Sequence, residues 1–336
     1  MGSAIRKYAQ EIKSGKSKLF FTYRGGGKGT IIDPSSPEVP LDILEFGIYD
    51  LKEGPFKRET KDREVVLVPQ EGYFRIEVKG RVWEGDREGG PFSPPYGENN
   101  ASAIYVGSNS HFTLQGEGEV IFYTAPALKD LPPCFIPKGS KKYVSRGEAF
   151  WRRDVVTLVT VGKETSNLTV GETYSPPGLW SGTPIHIHDF DDPSGKQSDH
   201  EEVYYHISRF KGKEIGSYPV QLLFDKEIDL WLSFIVRDKT AIALPGGCHP
   251  VVASPVSDII YGWGMANQGK APILYDLPEF AYLKKVEDLL GQIKDKIYLS
   301  QLERLPGYKL LPEIGKKVLE LILREERLLK EDGTFS

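Results

Sequence analysis

Cysteine is scarce in this chain: two residues in 336, Cys134 and Cys248. Two thiols make neither a disulfide framework nor a four-cysteine zinc site, and they suit a reducing compartment. Long apolar runs are missing too; none approaches the roughly 18 residues of a membrane span. The N-terminal stretch MGSAIRKYAQ lacks the apolar core of a signal peptide. Arg6 stands where a myristoylation signal needs Ser or Thr. The expectation is a cytoplasmic protein. Positive charge is not in excess either: 43 Lys and Arg against 47 Asp and Glu give a net charge of −4. That leaves no basic footprint for nucleic acid. GGGKGT (25–30) invites a P-loop reading, but Gly29 follows Lys28 where Ser or Thr is required, so it reads as a flexible turn.

Histidine is the informative scarcity. The chain has six, and four of them fall in TPIHIHDFDDPSGKQSDHEEVYYH (183–206). His249 follows in LPGGCHPVV, and only His111 stands apart. Around them the texture is β. REVVLV (63–68), YFRIEVKG (73–80), EVIFYTA (119–125), DVVTLVTV (154–161), EEVYYHIS (201–208), PVQLLFD (219–225), LWLSFIV (230–236), TAIALP (240–245) and SDIIYGW (257–263) are β-branched or aromatic runs bounded by turn residues. With 35 glycines and 24 prolines, this predicts an all-β sandwich or barrel, and the length allows two similar halves. The end differs. EFAYLKKVEDLLGQIKDKIY (279–298) and PEIGKKVLELILREERLLK (312–330) carry apolar residues three and four apart, which is helical, and Pro312 suits a first helical turn. These helices are expected to cover the barrel or an oligomer contact.

His186 and His188 are two apart, so on a strand both imidazoles share one face and can converge on an ion. No HExxH occurs. EEVYYHIS offers Glu201 or Glu202; if Glu202 faces inward, so do Tyr204 and His206. His249 can bring a further ligand from a later strand. Imidazoles with one carboxylate suit a borderline divalent ion, and an open position on it is what catalysis needs.

The order HxH, then Glu before an aromatic strand, then PxGxH resembles the cupin superfamily, with PIHIH…EEVYYHISRFKG as its first motif and ALPGGCHPVVAS as its second. The 13 residues between His188 and Glu202 make an unusually long loop. That loop, with LWSGTPIHIHD before it, is similar to the bicupin family of isomerases acting on 5-deoxy-glucuronate and 5-keto-4-deoxyuronate. The likeness spans roughly residues 18 to 268. It includes DREVVLVPQEG, RGEAFWRRDV and GMANQG. It implies two cupin-type β-barrels with a C-terminal helical extension, divided as 1–150 without metal, 151–275 with the metal site, and 276–336. It assigns His186, His188, Glu202 and His249 to one divalent ion, zinc or manganese ahead of iron, nickel or cobalt. Ile187 replaces the family's usual Lys, at a position pointing away from the metal. Trp263 stands where the family tends to have Asn.

The implied reaction is an aldose–ketose isomerisation of a sugar acid through an enediol, most specifically 5-deoxy-glucuronate to 2-deoxy-5-keto-gluconate in inositol catabolism. A positioned base is then required. His206 and Tyr204 are the candidates on the inner face, with His200, Asp189, Asp191 and Asp192 able to reach the mouth. A substrate carboxylate calls for a guanidinium; Arg146 and Arg153 are the leading candidates, with Arg152, Arg209 and Lys211 as others. Trp180 and Trp263, with Tyr174 and Tyr204, are candidates for a sugar-binding wall. Cys248 reads as inert and His111 as structural. The other function classes are a bicupin dioxygenase using iron and a non-catalytic sugar-binding bicupin. The partners expected are a small sugar acid and a second copy of the chain in a homo-oligomer, with neither nucleic acid nor membrane.

Overall fold

In the computed structural model, residues 4–23, 25, 28–92, 101–208, 217–293 and 295–330 are described. Arg209 and Lys211 lie outside them, as does part of the 25–30 turn. The strands form two barrels of antiparallel sheets. The first pairs a six-stranded sheet with a four-stranded one, using strands from Lys28–Ile32 to Cys134–Ile136. The second pairs a seven-stranded sheet, running from Val144–Arg146 at one edge to Phe20–Thr22 at the other, with a four-stranded sheet ending on Leu230–Ile235. All nine strand segments read from the sequence are strands here, shifted by a residue or two at their ends except Ile259–Ala266, which runs three further. Gly72–Val78, Val220–Asp225 and Leu230–Ile235 alternate a more buried side with a wetter one, whereas Arg63–Pro69, Glu119–Pro126, Thr240–Leu244 and most of Glu201–Ser208 are buried on both faces.

The first residues cross over. Phe20–Thr22 hydrogen-bonds to Thr240–Leu244, with Phe20 opposite Ile242. Ile5 and Ile12, on two short helices ahead of it, pack into the second barrel's core with Leu223, Leu230, Leu244 and Tyr261. The barrels meet through one shared apolar core, in which Phe46, Tyr123 and Ile121 of the first touch Val203, Tyr205 and Ala243 of the second.

Three buried carboxylates stitch the same interface. Glu64 accepts the amides of Ser166, Asn167 and Leu168 at 2.8–2.9 Å. Glu201 accepts those of Ile43 and Leu44 at 2.9 and 3.0 Å and that of Asp42. Glu172 takes both arms of the fully buried Arg87 at 2.7 Å each. A carboxylate removed from water this far is tolerable only when its lone pairs are filled, and here they are.

The tail is helical over Tyr282–Gln292 and Glu313–Glu325 and packs its apolar faces around Trp151, whose indole donates to Glu287 at 2.5 Å. The two expected helices are both shorter than their periodicity suggests. Ile297–Tyr298 and Leu329–Lys330 instead form a short parallel pair that ties the two helices together. Pro312 is the cap residue just before the second helix, with ψ of 160°, and the first helical position is Glu313. Among the described residues no helix is long and apolar enough to cross a membrane.

Candidate metal centre and active site

The Glu201–Ser208 strand sits between Thr240–Leu244 and Ile259–Ala266. Successive side chains point to opposite faces. Glu201, Val203 and Tyr205 turn toward the other barrel. Glu202, Tyr204 and His206 turn into the second barrel's interior, in register with Met265, Trp263 and Tyr261 respectively. A slip of one residue would exchange Glu202 for Glu201 and empty the site.

Into that interior come two histidines from loops. His188 lies just past the two-residue strand His186–Ile187. His249 follows the PGGC turn, where Gly246 and Gly247 have φ of 134° and 78°, conformations open to glycine. The turn is latched by the buried Asp189, which accepts the Gly247 amide at 2.7 Å. A Cβ on Gly246 would fall 2.7 Å from that same carboxylate oxygen. Gln221, also buried, donates to the carbonyls of His249 and Pro250 at 2.6 and 3.1 Å and so fixes the backbone that carries the ring.

His188 Nε2 and His249 Nε2 are 3.4 Å apart, and each faces Glu202 Oε2, at 3.3 and 3.1 Å. All three residues are buried. Each imidazole spends its other nitrogen on a backbone carbonyl: His188 Nδ1 on His200 at 2.9 Å and His249 Nδ1 on Gly247 at 2.6 Å. That partnership turns Nε2 of both rings inward as the available donor, the usual outer support of a metal-bound histidine. Atoms bound at about 2.0–2.2 Å to one ion stand roughly 3.0–3.4 Å from their neighbours, so this trio fits a divalent cation. His186 stands at the margin. Its Nδ1 is held by the Pro184 carbonyl at 2.9 Å, and its ring centroid is 6.2 Å from that of His249. Three of the four expected ligands therefore meet, with the fourth beside them.

Burial pushes the Glu202 carboxyl up, but hydrogen bonds to His188 and His249 outweigh it and hold the group down at about 2. For His188, burial pushes the ring down and Glu202 more than reverses this, so its affinity for a proton is raised. His186 is lowered to about 4 by burial and by the neighbouring His249. A metal ion bound here would have to compete with a proton for the His188 ring.

Below the trio, His206 is fully buried, and among the described residues neither ring nitrogen has a hydrogen-bond partner of normal geometry, with the Gln221 side chain beside it. Burial lowers its pKa to about 3, so the ring is neutral. Tyr204 packs between His206, His249 and Tyr261, and burial with the adjacent Glu202 keeps its hydroxyl protonated. Trp263 is on the same face, its indole donating to Thr173 Oγ1 at 3.1 Å. Arg153 is aimed toward this interior. One of its nitrogens, Nη1, donates to the carbonyls of Thr183 (2.7 Å) and Trp151 (3.3 Å). Burial lowers its pKa, and the Tyr261 hydroxyl, the Glu287 carboxylate and the Tyr204 hydroxyl oppose that.

The remaining candidates lie outside this buried interior, some at its edge. Arg146 and Arg152 are exposed, Arg146 opposite Arg153 at the sheet edge. Trp180 is 37% exposed on a two-residue strand paired with Val251–Val252. The Tyr174 hydroxyl bonds Asp258 at 3.3 Å. His200 is occupied by Lys270 O (3.0 Å) and Ser198 Oγ (3.2 Å). Asp191 binds Asn267 and Lys270, and Asp192 folds its own turn through Ser194 and Lys196. Burial raises the Cys248 thiol to about 12, so it is protonated. His111 is solvent-exposed, 3.7 Å from Glu59. The sequence reading missed Tyr261, Gln221 and the Asp189 latch. Tyr261 alone left a signal, two residues before Trp263 on a strand.

Two β-barrels, the second with a His–Glu–His trio that could hold a metal ion, are the architecture of a bicupin. The oxalate decarboxylase of Bacillus subtilis, in a structure concerned with its Mn(II) centres, matches 79% of this chain and 81% of its own at a TM-score of 0.50 and 12% identity. An IolB-like protein from Salmonella typhimurium LT2 matches 80% of this chain and all of its own at a TM-score of 0.71 and 22% identity. Residues 21–283 match the KduI/IolB family, and the chain belongs to it. Among its relatives, the 5-deoxy-glucuronate isomerase of Geobacillus kaustophilus (strain HTA426) is 28% identical over 234 residues, 68% of this chain and 81% of its own length. That of Bacillus subtilis (strain 168) is 25% identical over 218 residues, 63% and 76%. This chain is thus an enzyme of the isomerase class.

Proposed function

We propose that the chain is a divalent-metal-dependent aldose–ketose isomerase converting 5-deoxy-glucuronate to 2-deoxy-5-keto-gluconate, a cytoplasmic step of inositol catabolism. The observation that carries this is the inward convergence of His188 Nε2, His249 Nε2 and Glu202 in a member of an isomerase family whose relatives bear that name. His188, Glu202 and His249 hold the ion, with His186 as the fourth ligand; the donor set suits any borderline divalent ion, and we put zinc or manganese ahead of iron, nickel or cobalt. The bound ion supplies Lewis-acid stabilisation of the charge that develops on the substrate's carbonyl oxygen.

The protein does the rest. Arg153, with donors left over from its two carbonyl bonds, grips the substrate carboxylate, and Arg146 adds positive charge at the rim. Trp263 walls the sugar from within, and Trp180 meets it at the mouth. The protonated Tyr204 hydroxyl donates to a substrate oxygen. His206, neutral and with unspent ring nitrogens, carries the proton between the adjacent carbons as the enediol forms and collapses. Burial of these groups excludes water that would otherwise compete for the same hydrogen bonds. The same reading has the chain self-associate, which sedimentation velocity tests.

The direct assay is proton NMR of 5-deoxy-glucuronate with metal-loaded protein in deuterated water. The expected result is keto-acid product with deuterium on carbon. Full loading with neither product nor deuterium incorporation would overturn the substrate assignment.

A further inference from the structure

The first barrel holds a groove of about 610 Å³ that the isomerase site does not use. Its walls come from three adjacent strands, Gly72–Val78, Arg81–Arg87 and His111–Glu117, and from the loop at Leu51–Pro55. Tyr73, 57% exposed, stands in register with Asp86; Arg75 stands between Glu84 and Gln115. The floor is the backbone at Phe74, flanked on both sides by glycine, while the Phe74 ring is buried on the other face of the sheet. Gly116 has φ of 147°, and a Cβ on Gly85 would come within 2.7 Å of the Phe74 ring.

We propose that this groove binds a neutral saccharide. A solvent-facing aromatic ring offers its electron-rich face to the polarised C–H groups of a pyranose. Around it are planar side chains that suit hydroxyls, which both donate and accept: the Glu84 and Asp86 carboxylates accept, the Arg75 guanidinium donates, and Gln115 does both. The volume suits one or two sugar rings. The charge sets the class. Glu84 and Asp86 line the groove against the one cation Arg75, which is itself 3.3 Å from Glu84. Lys138 reaches Asp86 from outside the lining, at 2.9 Å. Each carboxylate is thus met by a cation, so the lining has no net positive charge to hold a sugar acid, and it suits a neutral sugar rather than the substrate read for the metal barrel. The groove stands independently of that reading.

The test is saturation-transfer difference NMR on the full chain with methyl glucoside, methyl galactoside, methyl mannoside, maltose and cellobiose, and with glucuronate as the anionic control. At least one neutral sugar is expected to receive saturation, strongest on its ring C–H groups, and glucuronate none through this groove. Tyr73→Ala should weaken binding roughly tenfold or more, and Tyr73→Phe should restore it. Glu202→Gln, which alters only the metal barrel, should leave it intact. No saturation of any sugar in the panel, binding indifferent to Tyr73→Ala, or binding abolished by Glu202→Gln would each overturn the proposal. A circular dichroism melt of Tyr73→Ala matching that of the unaltered chain excludes unfolding as the cause.

Discussion

Replacing Glu202 by Gln tests the centre most sharply, because the shape is kept and the only carboxylate of the trio is lost. Glu202 lies 3.3 and 3.1 Å from the two inward imidazole nitrogens. A neutral amide oxygen is a far weaker ligand, and its NH2 group can face the ion instead. Losing even 100-fold in affinity is about 2.7 kcal/mol. At a free metal concentration about 1,000 times the original Kd, binding stabilises the unaltered fold by about 4.1 kcal/mol; the variant, now at about 10 times its own Kd, gains about 1.4. At roughly 2 °C per kcal/mol for a chain of this size, the metal-dependent rise in Tm falls from about 8 °C to about 3 °C. Each protein is compared with its own ion-free form in differential scanning calorimetry, so loss of the His188–Glu202 pairing is not counted as loss of metal. Equal shifts in the two proteins, or no metal-dependent shift in the unaltered chain, would refute the reading of the trio.

Three more outcomes are expected. Metal affinity, measured by titration calorimetry, should weaken as pH falls through the His188 pKa: that pKa is raised, so the proton competing with the ion is bound more tightly than by an ordinary histidine, and affinity recovers above it. Arg87→Met strands the buried Glu172 and should cost about 3–5 kcal/mol by urea unfolding, whereas Arg87→Met with Glu172→Leu should recover most of it; equal losses in the two would deny that the pair acts as a unit. Arg153→Met should raise KM for a sugar-acid substrate at least tenfold with metal content by mass spectrometry unchanged.

The strands were legible because β-branched and aromatic runs between turn residues are a local signal; alternation left Glu201 and Glu202 both open, and the family resemblance chose Glu202. One carboxylate faces the trio and its neighbour accepts three amides of the other barrel. Long-range partners were not legible. Nothing near Arg87 announces Glu172, and nothing near Phe20 announces Ile242. Periodicity also overshot in the tail, where Ile297 and Leu329 keep helical spacing yet pair with one another as strands. The position of His186 depends on the carbonyl of Pro184 holding its ring, a contact that spacing alone does not reveal.

The crossover of residues 4–22 has a consequence for how the molecule is made. Ile5 is wholly enclosed by groups that follow it by some two hundred positions, and it reaches the turn that presents His249. On the ribosome this leading piece must wait, unsheltered, until nearly all of the second barrel has emerged. A fragment cut at the linker between the barrels would lack its own edge strand and the prop beneath one ligand, so the metal-binding half is not separable by simple dissection.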